Sequence, residues 1–221
     1  ERYTKNGTNF WRNAPFGQEG GRSYHSKIAE MKIIAITSPK VPGDEERIIK
    51  GLVKRGIDVV HFRKPDSGIE ECRSLLLKLT SGERSKIVVH DYHSLYEEFS
   101  LLGIHVNKNV TSLPEGYSGL KTRSCHSFEE VEMYKEDYDY LFLSPIFNSI
   151  SKQGYMSSFS DAELLQASKE GVIDRKVIAL GGVTFDKIPY LKDLNFGGVA
   201  MIGAIYNTDV LERLDDFRQW R

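Results

Sequence analysis

Short apolar runs and longer helix-spaced stretches alternate along the chain from Met31 onward. The run KIIAIT at 32–37 is β-branched and ends at Pro39, Pro42 and Gly43, after which an acidic start opens a helical pattern over 44–55. The unit then repeats. Strand-like 58–62 precedes helix-like 68–79, 86–90 precedes 93–101, and 103–106 is followed by an irregular return containing Asn and Pro. Further on, 119–124 precedes 128–136, 139–143 precedes 160–169, 176–180 precedes 184–194, and 198–202 precedes 209–220. Eight strand-like runs result.

Strands such as VIAL and VAMI are apolar throughout rather than alternating, which implies burial on both faces, as in a parallel sheet covered by helices. Eight βα units in about 190 residues predict an α/β fold, a single compact (β/α)₈ TIM barrel, with an open doubly wound sheet as the other arrangement. A glycine-bearing lead-in recurs at Gly56, Gly103 and Gly197-Gly198, where glycine is expected to end a helix before the next strand. In a barrel the chemistry gathers at the carboxyl ends of the strands. Residues 1–30 are polar and Gly-rich with no period and no apolar signal core, so they are expected to be a poorly ordered extension ahead of a barrel domain over 31–221.

Charge and composition narrow the function classes. Thirty Lys and Arg against 31 Asp and Glu leave a net charge of −1, so no global field favours nucleic acid or anionic lipid. An anionic ligand must be held locally. No apolar run approaches the roughly 18 residues that span a bilayer. Cys72 and Cys125 lie far apart without CxxC spacing, which suits buried thiols in a reducing compartment and points to a cytoplasmic protein.

Gly181-Gly182 follows the seventh strand and Ile202-Gly203 closes the eighth, so backbone N–H groups there could approach a phosphate directly. A tight turn would use the same glycines. Arg63 and Lys64 end the second strand, and Ser149, Ser151 and Lys152 follow the sixth. A guanidinium fork, two hydroxyls and a point charge suit phosphate oxygens, although Lys64 and Lys152 could equally be solvated loop cations. Four histidines, His61, His90, His105 and His126, stand at or near strand ends. Imidazole transfers protons near neutral pH, and His126, where strand gives way to helix in Ser124-Cys125-His126-Ser127, is the leading candidate. None of the four has HxxxH or HExxH spacing, which argues against a zinc motif.

Arg63, His90-Asp91, Gly103-Ile104-His105, Ser124-Cys125-His126-Ser127, Ser149-Ile150-Ser151-Lys152 and Gly181-Gly182-Val183 stand in the order of one known family. From about Met31 to Asn207 the chain resembles the thiamine phosphate synthases and TenI-type thiazole tautomerases. The resemblance implies a barrel that binds thiazole phosphate at its mouth, with Arg63, Lys64, His90, His105, Ser149, Ser151, Lys152, Gly181, Gly182, Ile202 and Gly203 as substrate- or phosphate-binding residues, Arg63 matching the family arginine that holds the diphosphate. It also implies Asp91 as a metal carboxylate, with His126 and Ser124 as catalytic groups. In the synthase branch hydroxymethylpyrimidine diphosphate and Mg²⁺ bind as well, and pyrophosphate leaves; the tautomerase needs no cofactor.

The match is uneven. The family's Arg-Glu-Lys reads Arg63-Lys64-Pro65, its Asn-Asp reads His90-Asp91, and the acid that should follow the fourth strand is Val110. Asp91 alone would hold magnesium weakly. A tautomerase, which moves one proton on a carboxythiazole phosphate, is the expected activity, ahead of the synthase. A non-catalytic sensor of thiamine or a phosphate ligand is the reading from another class. The expected partners are the small phosphorylated thiazole, the pyrimidine diphosphate in the synthase case, and a second copy of the chain in a homo-oligomer.

Overall fold

The computed structural model describes residues 30–107, 113–148, 158–206, 208–213 and 217–220. The N-terminal extension, Lys108 to Val110, and Ser149, Ser151 and Lys152 therefore lie outside the described residues. Eight parallel strands, β1 (Lys32–Ile36), β2 (Val59–Phe62), β3 (Ile87–Val89), β4 (Gly103–Val106), β5 (Leu120–Cys125), β6 (Tyr140–Leu143), β7 (Val177–Leu180) and β8 (Gly198–Met201), pair in chain order. β8 returns to β1, with Lys32 opposite Gly198 and Ala35 opposite Met201. That closure makes a (β/α)₈ barrel and excludes the open sheet.

Strand parity divides the core in two. Alternate residues, among them Ile34, Val59, Val88, Tyr140, Phe142 and Ile178, fill the barrel interior, while their neighbours such as Ile33, Val60, Leu141 and Val177 meet the helices outside. Both faces are buried, which is why these strands carry no polar alternation.

The helices are α1 (Glu45–Lys54), α2 (Ile69–Leu77), α3 (Ser81–Arg84), α4 (Ser94–Phe99), α5 (Phe128–Tyr134), α6 (Asp161–Lys169), α7 (Ile188–Asp193) and α8 (Thr208–Arg213). In α1, Ile48, Ile49 and Leu52 form the buried face and Glu45 and Glu46 complement the helix dipole at its start. Its end is a Schellman turn: Gly56, at φ +81°, donates to the Val53 carbonyl and Ile57 donates to the Leu52 carbonyl. The expected helix over 68–79 is found as α2, and beyond it Thr80 and Glu83 form a reciprocal capping box that starts the separate α3. The same device, Ser160 with Glu163, opens α6.

Only Gly56 of the three lead-in sites acts as a helix stop. The left-handed residues after α4 and α7 are Ser100 and Asn195, whereas Gly103 and Gly197 are small because a Cβ would overlap the backbone carbonyls of Leu120 and Arg175. No helix of the described residues is long and apolar enough to cross a membrane.

Candidate active site at the barrel mouth

Strand parity sends three of the four strand-end histidines inward. His61, His90 and His105 are buried together: His61 Nδ1 lies 2.7 Å from His90 Nε2, and the His90 ring stacks on His105 with centroids 4.1 Å apart. Hydroxyls hold the other nitrogens of His61 and His105. Tyr140 Oη is 2.5 Å from His61 Nε2, Thr122 Oγ1 is 2.7 Å from His105 Nδ1, and Ser124 Oγ is 2.8 Å from His105 Nε2. The sequence expectation of no metal-type spacing holds along the chain but not in space, because adjacent parallel strands bring one ring nitrogen of each histidine to within 4.8 Å of the others.

Burial keeps these rings neutral. His61 and His90 lie well below the usual imidazole range, chiefly through loss of water, and His105 is pushed down to about 3 by burial and then by the positive groups around it, Arg123, His93 and Arg63. The unfolded chain takes up a proton at position 105 as pH falls below about 6.5, and the folded chain refuses it until about 3. Stability linked to this ring is therefore full above pH 6.5 and drains as pH falls toward 3. Between pH 7 and pH 5 the loss is expected to be about 2 kcal/mol, read as the difference in urea unfolding between the parent and His105→Gln. Equal losses in both proteins would show that His105 titrates normally when folded.

His126 stands apart from this cluster. Its side chain is exposed just past β5, and its Nδ1 is 3.0 Å from the Ser144 carbonyl at the end of β6. A carbonyl only accepts, so the neutral ring carries its proton on Nδ1 and presents Nε2 as a base. The backbone N–H of His126 donates to Glu130 Oε2 at 2.6 Å, which fixes the turn into α5. Ser124 does not join it: the hydroxyl faces the barrel interior and His105.

Lys64 requires a correction. It is neither a solvated loop cation nor free for a phosphate, because it is 0% exposed and its ammonium donates to Glu45 Oε1, to the Ser38 carbonyl at 2.8 Å and to the Lys40 carbonyl at 3.0 Å. Three donors are thus engaged within the protein. Tyr206 Oη also donates to Glu45 Oε1. Parity explains the placement: His61 and Arg63 take the inner side of β2 and its extension, and Lys64 falls on the helix side. Arg63 is exposed at the strand end, its backbone tied to Thr37, and among the described residues its guanidinium makes no ion pair.

Asp91 Oδ2 accepts from the Lys64 backbone N–H at 2.8 Å. Its charge is felt by His93 and by the Cys72 thiol. Magnesium takes oxygen ligands, and among the described residues Asp91 belongs to no group of three or more carboxylate, imidazole or thiol side chains that could hold an ion. Cys72 and Cys125 are free buried thiols, pushed up by burial to about 11 and about 12, and are inert at neutral pH.

The glycines at the ends of β7 and β8 differ in role. Gly182, at φ +61°, lies where a Cβ would overlap the Asn148 carbonyl and press on Phe147, so the close approach of two loops already requires it. Lys187 Nζ donates to its carbonyl at 3.0 Å. Around Gly203 a Cβ would meet nothing within 4 Å, and Gly203 and Ile202 are both exposed. The open backbone of the expected phosphate site is at Gly203.

A closed parallel barrel with its ionisable groups gathered at the carboxyl ends of the strands defines a (β/α)₈ enzyme frame. The family model described as thiamine monophosphate synthase matches residues 33–205, and the chain belongs to that family. A solved thiamine phosphate pyrophosphorylase from Bacteroides thetaiotaomicron is 36% identical, covering 86% of this chain and 95% of that one with a TM-score of 0.75. The thiamine-phosphate synthase of Staphylococcus haemolyticus is 28% identical over 182 residues, 77% of this chain and 85% of the relative. That of Parasynechococcus marenigrum is 27% identical over 203 residues, 87% of this chain but only 56% of the relative's length.

Proposed function

We propose that this chain is a thiazole tautomerase of thiamine biosynthesis, which holds a carboxythiazole phosphate at the barrel mouth and moves one proton on it toward the aromatic isomer. The observation that carries this reading is His126, whose proton is pinned to Nδ1 by the Ser144 carbonyl while Nε2 is left to face solvent at the mouth. Such a ring can take a proton from one ring-side carbon and return it to another, with no net change in the enzyme. Arg63 and the backbone at Gly203 are the phosphate anchors this reading uses. Membership in a family described as thiamine monophosphate synthase supports a small phosphorylated substrate, and thiazole phosphate is the one this reading assigns.

The second reading, thiamine phosphate synthase, is favoured by the names of the relatives. It needs magnesium beside the departing pyrophosphate, and Asp91 is the carboxylate this reading would use. A paired assay separates the two. Carboxythiazole phosphate isomerisation is followed in one tube, and thiazole phosphate with hydroxymethylpyrimidine diphosphate and Mg²⁺ in the other. Turnover in the second tube alone would replace the tautomerase with the synthase, and turnover in neither would leave the ligand-sensor reading.

The anchor has its own test. Because a Cβ at position 203 meets no protein atom, Gly203→Ala is expected to fold normally and to weaken thiazole phosphate binding by about tenfold, through steric exclusion of the phosphate from the backbone. Calorimetric titration measures it; unchanged affinity in a protein of unchanged thermal stability would remove Gly203 from the site.

A further inference from the structure

Three imidazoles converge in the carboxyl-end half of the barrel without serving the proton transfer assigned to His126. His61, His90 and His105 come from β2, the end of β3 and β4, and one ring nitrogen from each lies within 4.8 Å of the other two. The rigid sheet fixes the three backbones, and each of His61 and His105 is backed by a hydroxyl, Tyr140 behind one and Thr122 behind the other. Hydroxyls either donate or accept, so they can hold the far nitrogen in the tautomer that leaves a lone pair on the near one; on His105 the near nitrogen is met by the Ser124 hydroxyl at 2.8 Å, which a metal ion would displace. Among the described residues no carboxylate or thiolate joins the group.

We propose that His61, His90 and His105 form a binding site for a first-row divalent transition metal ion of the zinc class, separate from Asp91. Neutral nitrogen ligands select zinc, cobalt, nickel or copper over magnesium, which requires oxygen. The 2.7 Å link between His61 Nδ1 and His90 Nε2 is a hydrogen bond, whereas two nitrogens on a tetrahedral zinc stand roughly 3.3 Å apart. The ion therefore takes the place of the shared proton, which moves to the far nitrogen of His90, and His90 turns out of its stack on His105. A fourth position is left for water or a ligand atom. The site is independent of the proposed tautomerase activity, since His126 lies outside it.

The test is a titration of the full chain, stripped by dialysis against a chelator, with Co²⁺ alone. One equivalent is expected to produce the strong visible bands of a tetrahedral cobalt centre, to be displaced by one equivalent of Zn²⁺ and to ignore millimolar Mg²⁺. His90→Gln is expected to weaken Co²⁺ binding by more than about 100-fold, and Thr122→Val, which keeps the shape and removes the supporting hydroxyl, by about 10–100-fold. Asp91→Asn is expected to bind as the parent does. Absence of tetrahedral bands in the parent protein, or bands that survive His90→Gln and vanish in Asp91→Asn, would overturn the proposal. Should His90→Gln fail to fold, the parent titration and Thr122→Val decide. A failed titration leaves the isomerisation assay untouched.

Discussion

Replacing His126 by asparagine is expected to slow carboxythiazole phosphate isomerisation by about 10²–10⁴ while leaving the affinity for product nearly unchanged. Asparagine keeps a donor that can face the Ser144 carbonyl and nearly the same bulk, but it cannot take up a proton. The ring contributes no buried packing, because its side chain is exposed. Loss of rate without loss of binding therefore isolates proton transfer from positioning. An unchanged kcat would make His126 structural. The buried His105 and His61 would then be the next groups to test, although neutral rings held inside the barrel are poorly placed to exchange protons with a substrate at its mouth.

The four strand-end histidines differ in how far the sequence reveals them. The eight strands are legible because residues buried on both faces leave unbroken apolar runs, and each run ends where the barrel places its chemistry. The placement of His126 just past β5 is legible for that reason. Convergence of His61, His90 and His105 is not, because motif spacing measures distance along the chain, while parallel strands equate positions some 15 to 30 residues apart. Parity would have found it: counting outward from Val59, Val88 and Leu120 places His61, His90 and Thr122 on the inner face, and the barrel register sets His105 opposite Thr122. Glycine misleads for a related reason. Gly56 and Gly103 look alike in sequence, yet one supplies a left-handed turn and the other merely makes room for the next strand.

Lys64 is the position where local reading misleads most, and it carries the largest expected stability effect. Arg63-Lys64 after a strand suggests two cations reaching for one anion, but alternation turns the second toward α1, where Glu45 occupies the first turn. The pair, with Tyr206 as third member, ties together the loops after β1, β2 and β8 beneath the mouth. Burial is the largest influence on both groups, raising the Glu45 carboxyl and lowering the Lys64 ammonium, so desolvation outweighs their mutual attraction. Glu45 Oε2 has no hydrogen-bond partner among the described residues, which adds to that cost.

Such a pair costs most when one partner is left alone. Lys64→Met is expected to destabilise the protein by about 3–5 kcal/mol, a fall in Tm on the order of 10 °C for a domain of this size, because it strands a buried carboxylate. Adding Glu45→Gln removes the charge and keeps an acceptor for the Tyr206 hydroxyl, and the freed carbonyls of Ser38 and Lys40 lie in a partly exposed loop that water can reach. The double variant is therefore expected to regain a large part of the loss, a coupling of at least about 1 kcal/mol in the double-mutant cycle. Thermal and urea unfolding of the parent, the two single variants and the double variant measure it. Single-variant losses near 0.5 kcal/mol, the size usual for exposed positions, would mean that water reaches the pair and that the loops around the mouth are held together by something else.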